Sequence, residues 1–435
     1  MTRRQTLGTP SPRLHRPARG RALATAALVA CASAVLGCGT TQRTAADGTD
    51  GTITVMTWAP QGTGATNKPG MPALAGAYAR WVNERGGVDG RRLTVSTCND
   101  HNDGVSAAKC ARRAVEEGAV AVVGSYSQHP DSFFPILEGA GIPYIGGYGI
   151  TNAEFTSPLS YPVNGGQPTL LAGLGTALAE DCGPVTMVRP DTIAGDQLPA
   201  LLDSGLRAGG HETASDHPAP EDATEYGDHS RRALAGATTG AGETEGCVVP
   251  VLGDRTDTFM DSFRRSRAGF AEVRTGTVLG SADQSTINAA GGDSSPYEGS
   301  YITSWYPVAT DARWEPMREV IQEEAFGDNR VDPADAGVQT TWIAYRVLHA
   351  ALSSLEGGEA TPRTVAKALD SGLEVDTGGL TPLLRWEFDN KLSPVGFPRL
   401  VNTDVTIQIV RDGRLVAARE GFLDTAATLL DADVV

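Results

Sequence analysis

From residue 52 onward, β-branched or continuously apolar runs alternate with amphipathic helical stretches, and this alternation limits the fold more than any single motif. "TITVMTW" (52–58) is β-branched, and "MPALAGAYARWVNERGG" then sets Leu74, Tyr78, Trp81 and Val82 on one helical stripe that Gly86 and Gly87 end. "RRLTVST" alternates Leu93 and Val95 as a strand, and "GVSAAKCARRAVEEG" returns to helix with Gly118 as its stop. "AVAVVGS" is unbroken apolar sequence, as expected of a strand covered on both faces in a parallel sheet. "DSFFPILEGAG" and "IPYIGG" repeat helix and strand. Such βαβ alternation predicts an α/β fold with helices on both faces of a parallel sheet.

The pattern then begins again. "TLLAGLGTALAEDCG", "PVTMV", "DQLPALLDSGLRAGG", "CVVPVLG" and "RTDTFMDSFRRSRAGF" read as helix, strand, helix, strand and helix, with "EVRTGTVLG" extended. Two successive α/β halves imply two similar lobes rather than one long sheet. "GSYITSWY", a long helix through "AGVQTTWIAYRVLHAALSSLEGG", another through "TPRTVAKALDSG", and terminal strands "LLRWEF" and "VTIQIVRDG" complete the chain. The Gly/Ser/Asp-rich stretches near 209–245 and 280–300 are expected to be surface loops.

Upstream of the first strand, residues 1–21 carry six arginines and no acid, and an apolar Ala/Leu/Val run follows from Ala22 to Leu36. This is the layout of a secretory signal, and at about 15 residues the run is short for a membrane span. It closes on "VLGC", and Cys38 leads into the polar "GTTQRTAADGTDGT". That pattern resembles a bacterial lipobox, which implies residues 1–37 as a lipoprotein signal, Cys38 as the acylated residue and 38–51 as a flexible tether. "LVAC" at Cys31 is a second candidate, but cleavage there leaves apolar "ASAVLG" on the mature chain. A lipid on Cys38 would anchor the protein at the outer face of the cell membrane.

Removing the signal takes the formal net charge from −16 to −22. So acidic a chain is a poor partner for nucleic acid, whose phosphates require clustered Lys and Arg. No apolar run after position 38 is long enough to cross a bilayer.

Export places the mature cysteines in an oxidising compartment, and four remain after Cys38. Cys98 ends a strand and Cys110 lies in the helix that packs back on it, so "CNDHNDGVSAAKC" reads as a stapled βα unit. Cys182 and Cys247 each begin a strand of the second half, in strands expected to be neighbours. A metal loop would need alternating oxygen ligands and a closing Glu where this run offers His101 and Cys110, so no metal is expected.

Several segments together carry a family resemblance. "NERGGVDGRRLTV", "AVAVVGSYSQHPDSFFPILEGAGIPYIGG", "TNAEFTSP", "AYRVLHAAL" and "RLVN" occur in the same order as in the branched-chain-amino-acid-binding type of periplasmic solute-binding protein. The resemblance implies two Rossmann-like lobes with parallel sheets, joined by three crossovers and closing on a small ligand for an ABC permease and its ATPase. The first lobe would comprise 52–165 and 307–385, and the second 166–306 and 386–435. It implies a monomer without cofactor.

In open α/β sheets ligands sit beyond the carboxyl ends of the strands. There "WAPQGTG" offers Trp58, to stack on ligand or to cap the lobe, and "SYSQHPD" offers Ser125, Ser127 and Gln128 ahead of a helix start suited to anions. By resemblance, Ser127 or Gln128 takes the ligand's carboxylate, and Gly149 and Thr151 of "GGYGITNAEFT" form the next contact with Tyr148 beside them. Glu154 and Thr156 would shape that loop. In the second lobe Asp254 and Asp283 are the candidate acids, and Ala194 stands where leucine-type members place Tyr.

Enzyme motifs are weak in these loops. The segment 124–128 lacks the G-x-S-x-G spacing of a nucleophile elbow, and "GTGATN" lacks the third glycine of a dinucleotide fingerprint. The function that the resemblance implies is capture of an amino acid or related amide or acid between two closing lobes. The alternatives are a sensing lipoprotein without transport and a secreted α/β enzyme.

Overall fold

Ile53 and Val55 in the first strand face one helical layer, and Met56 and Trp58 face the opposite one. That two-residue period is what a strand buried on both faces requires. The computed structural model describes residues 51–432 apart from 65, 193, 221, 240–243 and 388–395; Cys38 and the expected signal and tether up to residue 50 lie outside the described residues.

The first set of elements is β1 (Thr52–Trp58), α1 (Gly70–Glu84), β2 (Arg92–Cys98), α2 (Gly104–Glu116), β3 (Val122–Val123), α3 (Pro130–Ala140), β4 (Tyr144–Ile145), α4 (Ala153–Thr156) and β5 (Ser160–Tyr161). They build a sheet of order β2-β1-β3-β4-β5 in which every pairing is parallel. The second set is α5 (Gly166–Asp181), β6 (Val185–Pro190), α6 (Leu198–Ala208), β7 (Ser215–Ala219), α7 (Gly227–Thr238), β8 (Gly246–Pro250), α8 (Thr256–Ser266), β9 (Val273–Val278), α9 (Gln284–Ala289) and β10 (Tyr301–Ser304). The chain then runs through α10 (Glu315–Glu324), α11 (Ala336–Ser353) and α12 (Pro362–Asp370), and ends in β11 (Asp404–Arg411), β12 (Arg414–Ala417), β13 (Leu423–Asp424) and α13 (Ala426–Leu430). The second sheet has the order β7-β6-β8-β9-β10-β11-β12, parallel from β7 to β10 and antiparallel where β11 and β12 join its edge. The result is a two-lobed α/β fold.

Three expectations are corrected. The stretch 280–300 is not all loop, since α9 lies within it and buries Ile287 in the second core. The stretch 209–245 is not a loop: it holds edge strand β7 and helix α7, whose Ala233, Leu234 and Ala237 enter the second core. Much of the Gly/Ser/Asp content that suggested a loop lies inside these elements, Ser215 and Asp216 in β7 and Gly227, Asp228, Ser230 and Gly236 in α7. "LLRWEF" is not a strand: Leu384 makes only an isolated bridge to Val375, and Trp386 is buried with its indole N–H donating to the Pro162 carbonyl at 3.0 Å.

Both disulfides join strand to helix or helix end to strand. Cys98 at the end of β2 bonds Cys110 of α2, with Cα atoms 5.7 Å apart. Cys182, which caps α5, bonds Cys247 of β8, also at 5.7 Å. As expected, β6 and β8 are neighbours, with Val185 opposite Cys247.

Three passages join the sheets, and side-chain hydrogen bonds stitch them together. Asn164, on the first, donates to the Tyr306 hydroxyl on the second at 3.2 Å; Asn402, on the third, donates to the Val163 carbonyl at 3.0 Å. Thr406 and Gln408 donate to the Tyr306 carbonyl at 2.7 and 3.0 Å. Arg399 still donates to Ser160 of β5, which puts the third passage between Arg399 and Asp404, later than residue 386.

Candidate functional site

Loops following β1, β3 and β4 of the first sheet and β9 and β10 of the second all leave from carboxyl ends of strands. Each contributes a different chemistry, set by local sequence.

After β3 the chain is knitted into the scaffold. The buried Ser125 hydroxyl accepts the Trp58 N–H at 3.1 Å, and its carbonyl accepts the Tyr144 hydroxyl and the Tyr148 N–H, both at 3.1 Å. Ser127 is buried and accepts the His129 N–H at 3.2 Å, where α3 begins. Beside it Asp100 is fully buried; burial raises its carboxyl pKa, against a counteracting hydrogen bond from Ser127. Gln128 is exposed at the loop's tip.

The loop after β4 folds around a carboxylate of its own. One Glu154 oxygen accepts the Gly149 N–H at 2.7 Å. The other accepts the N–H groups of Ile150 and Thr151 at 3.3 Å and the Thr151 hydroxyl at 3.0 Å. Burial pushes the Glu154 carboxyl up to about 7, against these four donors. Glycine is required at 149 because φ is +90° and a Cβ would lie 2.4 Å from the Asn164 side-chain oxygen. Glu154 thus shapes the loop as anticipated, and in doing so it occupies the amides of 149–151 that the family resemblance would offer to a ligand.

Tyr148 projects from the same loop. Its ring packs edge-on against Trp305, which follows β10, at 5.4 Å, and against Tyr126 at 5.2 Å. Across the crevice, a Cβ at Gly280 would lie 3.5 Å from its hydroxyl. That hydroxyl is buried without a well-aligned hydrogen bond, and burial raises its pKa while the nearby Lys68 pulls it down.

Lys68, in the loop after β1, is the residue that sequence reasoning missed. Its ammonium donates to Asp335, the N-cap of α11, at 3.0 Å and lies 5.3 Å from the centre of the Tyr148 ring. Only 15% of its side chain is exposed. Burial alone would lower the Lys68 pKa; Tyr148, Asp335 and, from the second lobe, Asp283 outweigh it, and the group stays cationic. A sequence cue existed: Lys68 is the one charged residue between 52 and 79, in a loop at the carboxyl end of a strand.

The remaining candidates divide. Asp283 follows β9 and reaches both Lys68 and Tyr148 electrostatically, while its carboxylate caps α9 through the Thr286 N–H at 2.8 Å. Trp58 is withdrawn into the layer between the sheet and α2/α3, its ring 5.3 Å from Phe133 with no exposure. It therefore caps the lobe. Asp254 lies in the 3₁₀ turn Gly253–Arg255 after β8, and its side chain is outside what is described. Ala194 is exposed after β6. Among the described residues no cluster of His, Cys, Asp and Glu could hold a metal, and no helix is long and apolar enough to cross a membrane.

This geometry agrees with comparisons to known proteins. A family model described as "Periplasmic binding protein" matches residues 32–393. No curated protein matches. Among solved structures, a fatty acid ABC transporter substrate-binding protein from Thermomonospora curvata superposes with a TM-score of 0.69 at 14% identity, over 88% of this chain and 95% of its own. A branched-chain amino acid ABC transporter protein from Thermus thermophilus with bound valine gives 0.68 at 15%, over 87% and 98%. A solute-binding protein of an ABC transporter from Rhodopseudomonas palustris, in complex with 3,4-dihydroxybenzoic acid, gives 0.65 at 16%, over 86% and 97%. With the matched family spanning both lobes and the crevice between them, the chain belongs to the periplasmic binding proteins, of type I fold.

Proposed function

We propose that the protein captures a small carboxylic acid, amino acids included, between its lobes and delivers it to an ABC permease with its cytoplasmic ATPase. The observation that carries this reading is the meeting of strand-end loops from both sheets on one buried polar cluster, Tyr148 against Trp305 and Gly280, with Lys68 beneath. Solutes named for three structural relatives, a fatty acid, valine and 3,4-dihydroxybenzoic acid, share a carboxyl group. In this reading Ser127, Gln128 and Tyr148 line the first lobe's side of the crevice and Asp283 the second's, with Ser125, Gly149 and Thr151 holding the first lobe's loops in shape. Asp254 is a further second-lobe contact. Lobe one comprises 52–165, 307–387 and the segment at Arg399, and lobe two 166–306 with the C-terminal strands from Asp404. Cys38 carries the lipid anchor, and the protein works as a monomer at the outer face of the membrane.

The mechanism is binding equilibrium. Contacts from both lobes favour the closed form, and a ligand closes the lobes only by as much as it prefers that form. The test is native mass spectrometry of the purified protein followed by a thermal-shift screen of small solutes. A co-purifying or stabilising small organic acid is the expected result; turnover of any bound compound, or stabilisation by none, would overturn the reading.

A further inference from the structure

The crevice contains two buried polar groups whose hydrogen-bonding capacity is not fully spent, and both are donors. Lys68 has three N–H groups and, among the described residues, makes one well-aligned hydrogen bond, to Asp335, with a second and weaker interaction to the Tyr148 hydroxyl. The Tyr148 hydroxyl has no acceptor in good geometry. Both sit in the strand-end crevice, the ammonium 5.3 Å from the Tyr148 ring centre. Acceptors nearby are already employed: Asp335 accepts from Lys68 and from the Val338 N–H, and Asp283 from Thr286 and Ser285. The amides of 149–151, an obvious seat for an anion, are filled by Glu154.

A buried donor left unmatched is costly, so a cluster short only of acceptors selects a partner that brings them. We propose that Lys68 and Tyr148 are the seat of the ligand's carboxylate, and that this seat sets the protein's preference for acids over their neutral amides. The inference rests on the reading of the crevice as a solute site and moves the anion from the 149–151 loop to the β1 loop. One carboxylate oxygen meets a free N–H of Lys68 and the other the Tyr148 O–H, a charge-assisted pair of bonds that an amide reproduces only in part.

The experiment compares acid and amide directly. Valine, 4-hydroxybenzoate, 3,4-dihydroxybenzoate and octanoate, each paired with its primary amide, are titrated by calorimetry into the wild type and into Lys68→Met, Lys68→Arg and Tyr148→Phe. The seat predicts that the wild type binds one or more of the acids and discriminates against the matching amide. It further predicts that Lys68→Met loses about 10- to 100-fold in affinity for the acid, with the amide little changed. Lys68→Arg should keep the preference for acid, and Tyr148→Phe should lose part of it. Because the readout is an acid-to-amide ratio, a variant that is merely less stable does not imitate the result, and should Lys68→Met fail to fold, Tyr148→Phe decides. Acid binding whose preference over the amide survives both Lys68→Met and Tyr148→Phe overturns the seat and leaves the solute-binding reading intact, as does a wild type that prefers amides. A wild type that binds none of the eight compounds overturns both the seat and the carboxylic acid class.

Discussion

Thr341 in α11 donates its hydroxyl to the carbonyl of Gly124 at 3.1 Å, and its Cα and Cγ2 stand 2.9 Å from where a Cβ on residue 124 would be. Helix and strand end are thus held together at a spot where only glycine fits. Gly118 has the same left-handed backbone, φ +66° against +57°, but open space around it. Gly118→Ala should therefore cost about 1 kcal/mol from backbone strain alone, and Gly124→Ala about 3 kcal/mol or more, since overpacking adds to strain. Denaturant melts of the two variants check the difference; equal losses would show that α11 yields at no cost.

Glu154 makes stability depend on pH. Its carboxyl is raised from 4.5 to about 7 by burial, against the hydrogen bonds from Gly149 and Thr151, so the native state binds a proton that the unfolded chain releases earlier. Stability is fully present below about 4.5 and falls as pH rises to about 7, by about 3 kcal/mol at most. Glu154→Gln removes this dependence. Asp404, raised to about 6 by burial and by Asp424, acts in the same direction and cancels when the two proteins are compared. The Tm of wild type minus variant should decline between pH 4.5 and 7; a flat difference counts against a raised pKa.

Disulfide loops differ in length, and their contributions should differ with them. The loop between Cys98 and Cys110 has a separation of 12 residues and that between Cys182 and Cys247 one of 65. Chain entropy assigns about 3 kcal/mol to the first and about 4 to the second. Paired serine variants measured by urea melts should lose stability in that order.

Tyr306 joins the passages between lobes, its hydroxyl shared with Asn164 at 3.2 Å and Thr340 at 2.9 Å. Tyr306→Phe leaves those partners buried and should cost about 1 to 3 kcal/mol. Loosening this stitch should also alter lobe opening, visible as a changed radius of gyration in small-angle scattering of the ligand-free protein. An unchanged melt and an unchanged profile together would remove Tyr306 from the hinge.

How legible the fold was depended on how repetitive its physics was. Val55 facing one layer and Met56 the other is a period any reader of "TITVMTW" can see, and both cysteine pairs followed from the same strand and helix assignments. Strand β7 was hidden because an edge strand needs little apolar content: Ser215, Asp216 and Pro218 are exposed. Trp386 misled in the other direction, since a buried aromatic in "LLRWEF" resembles a strand while it serves as a plug on the Pro162 carbonyl. The crevice was legible as a set of loops but not as a charge pattern. Lys68 meets Asp335 across 267 positions of sequence, a distance over which no local pattern announces a pairing.

Helix α11 covers the first sheet through Thr341, Ala344 and Tyr345, whose hydroxyl lies 2.8 Å from that of Thr57 in β1. Those residues are made only after every parallel strand of the second sheet. During synthesis the opening strands β1 to β5 emerge with the face shared by α1 and α11 only partly covered, and it stays unfinished until residues 336–353 arrive. The second sheet's parallel strands are complete at residue 304, but its antiparallel edge is not. Both lobes therefore close late: the first lacks α11 until residue 353, the second lacks β11 and β12 until residue 417, and the interrupted order of the chain ties completion of either core to its C-terminal third.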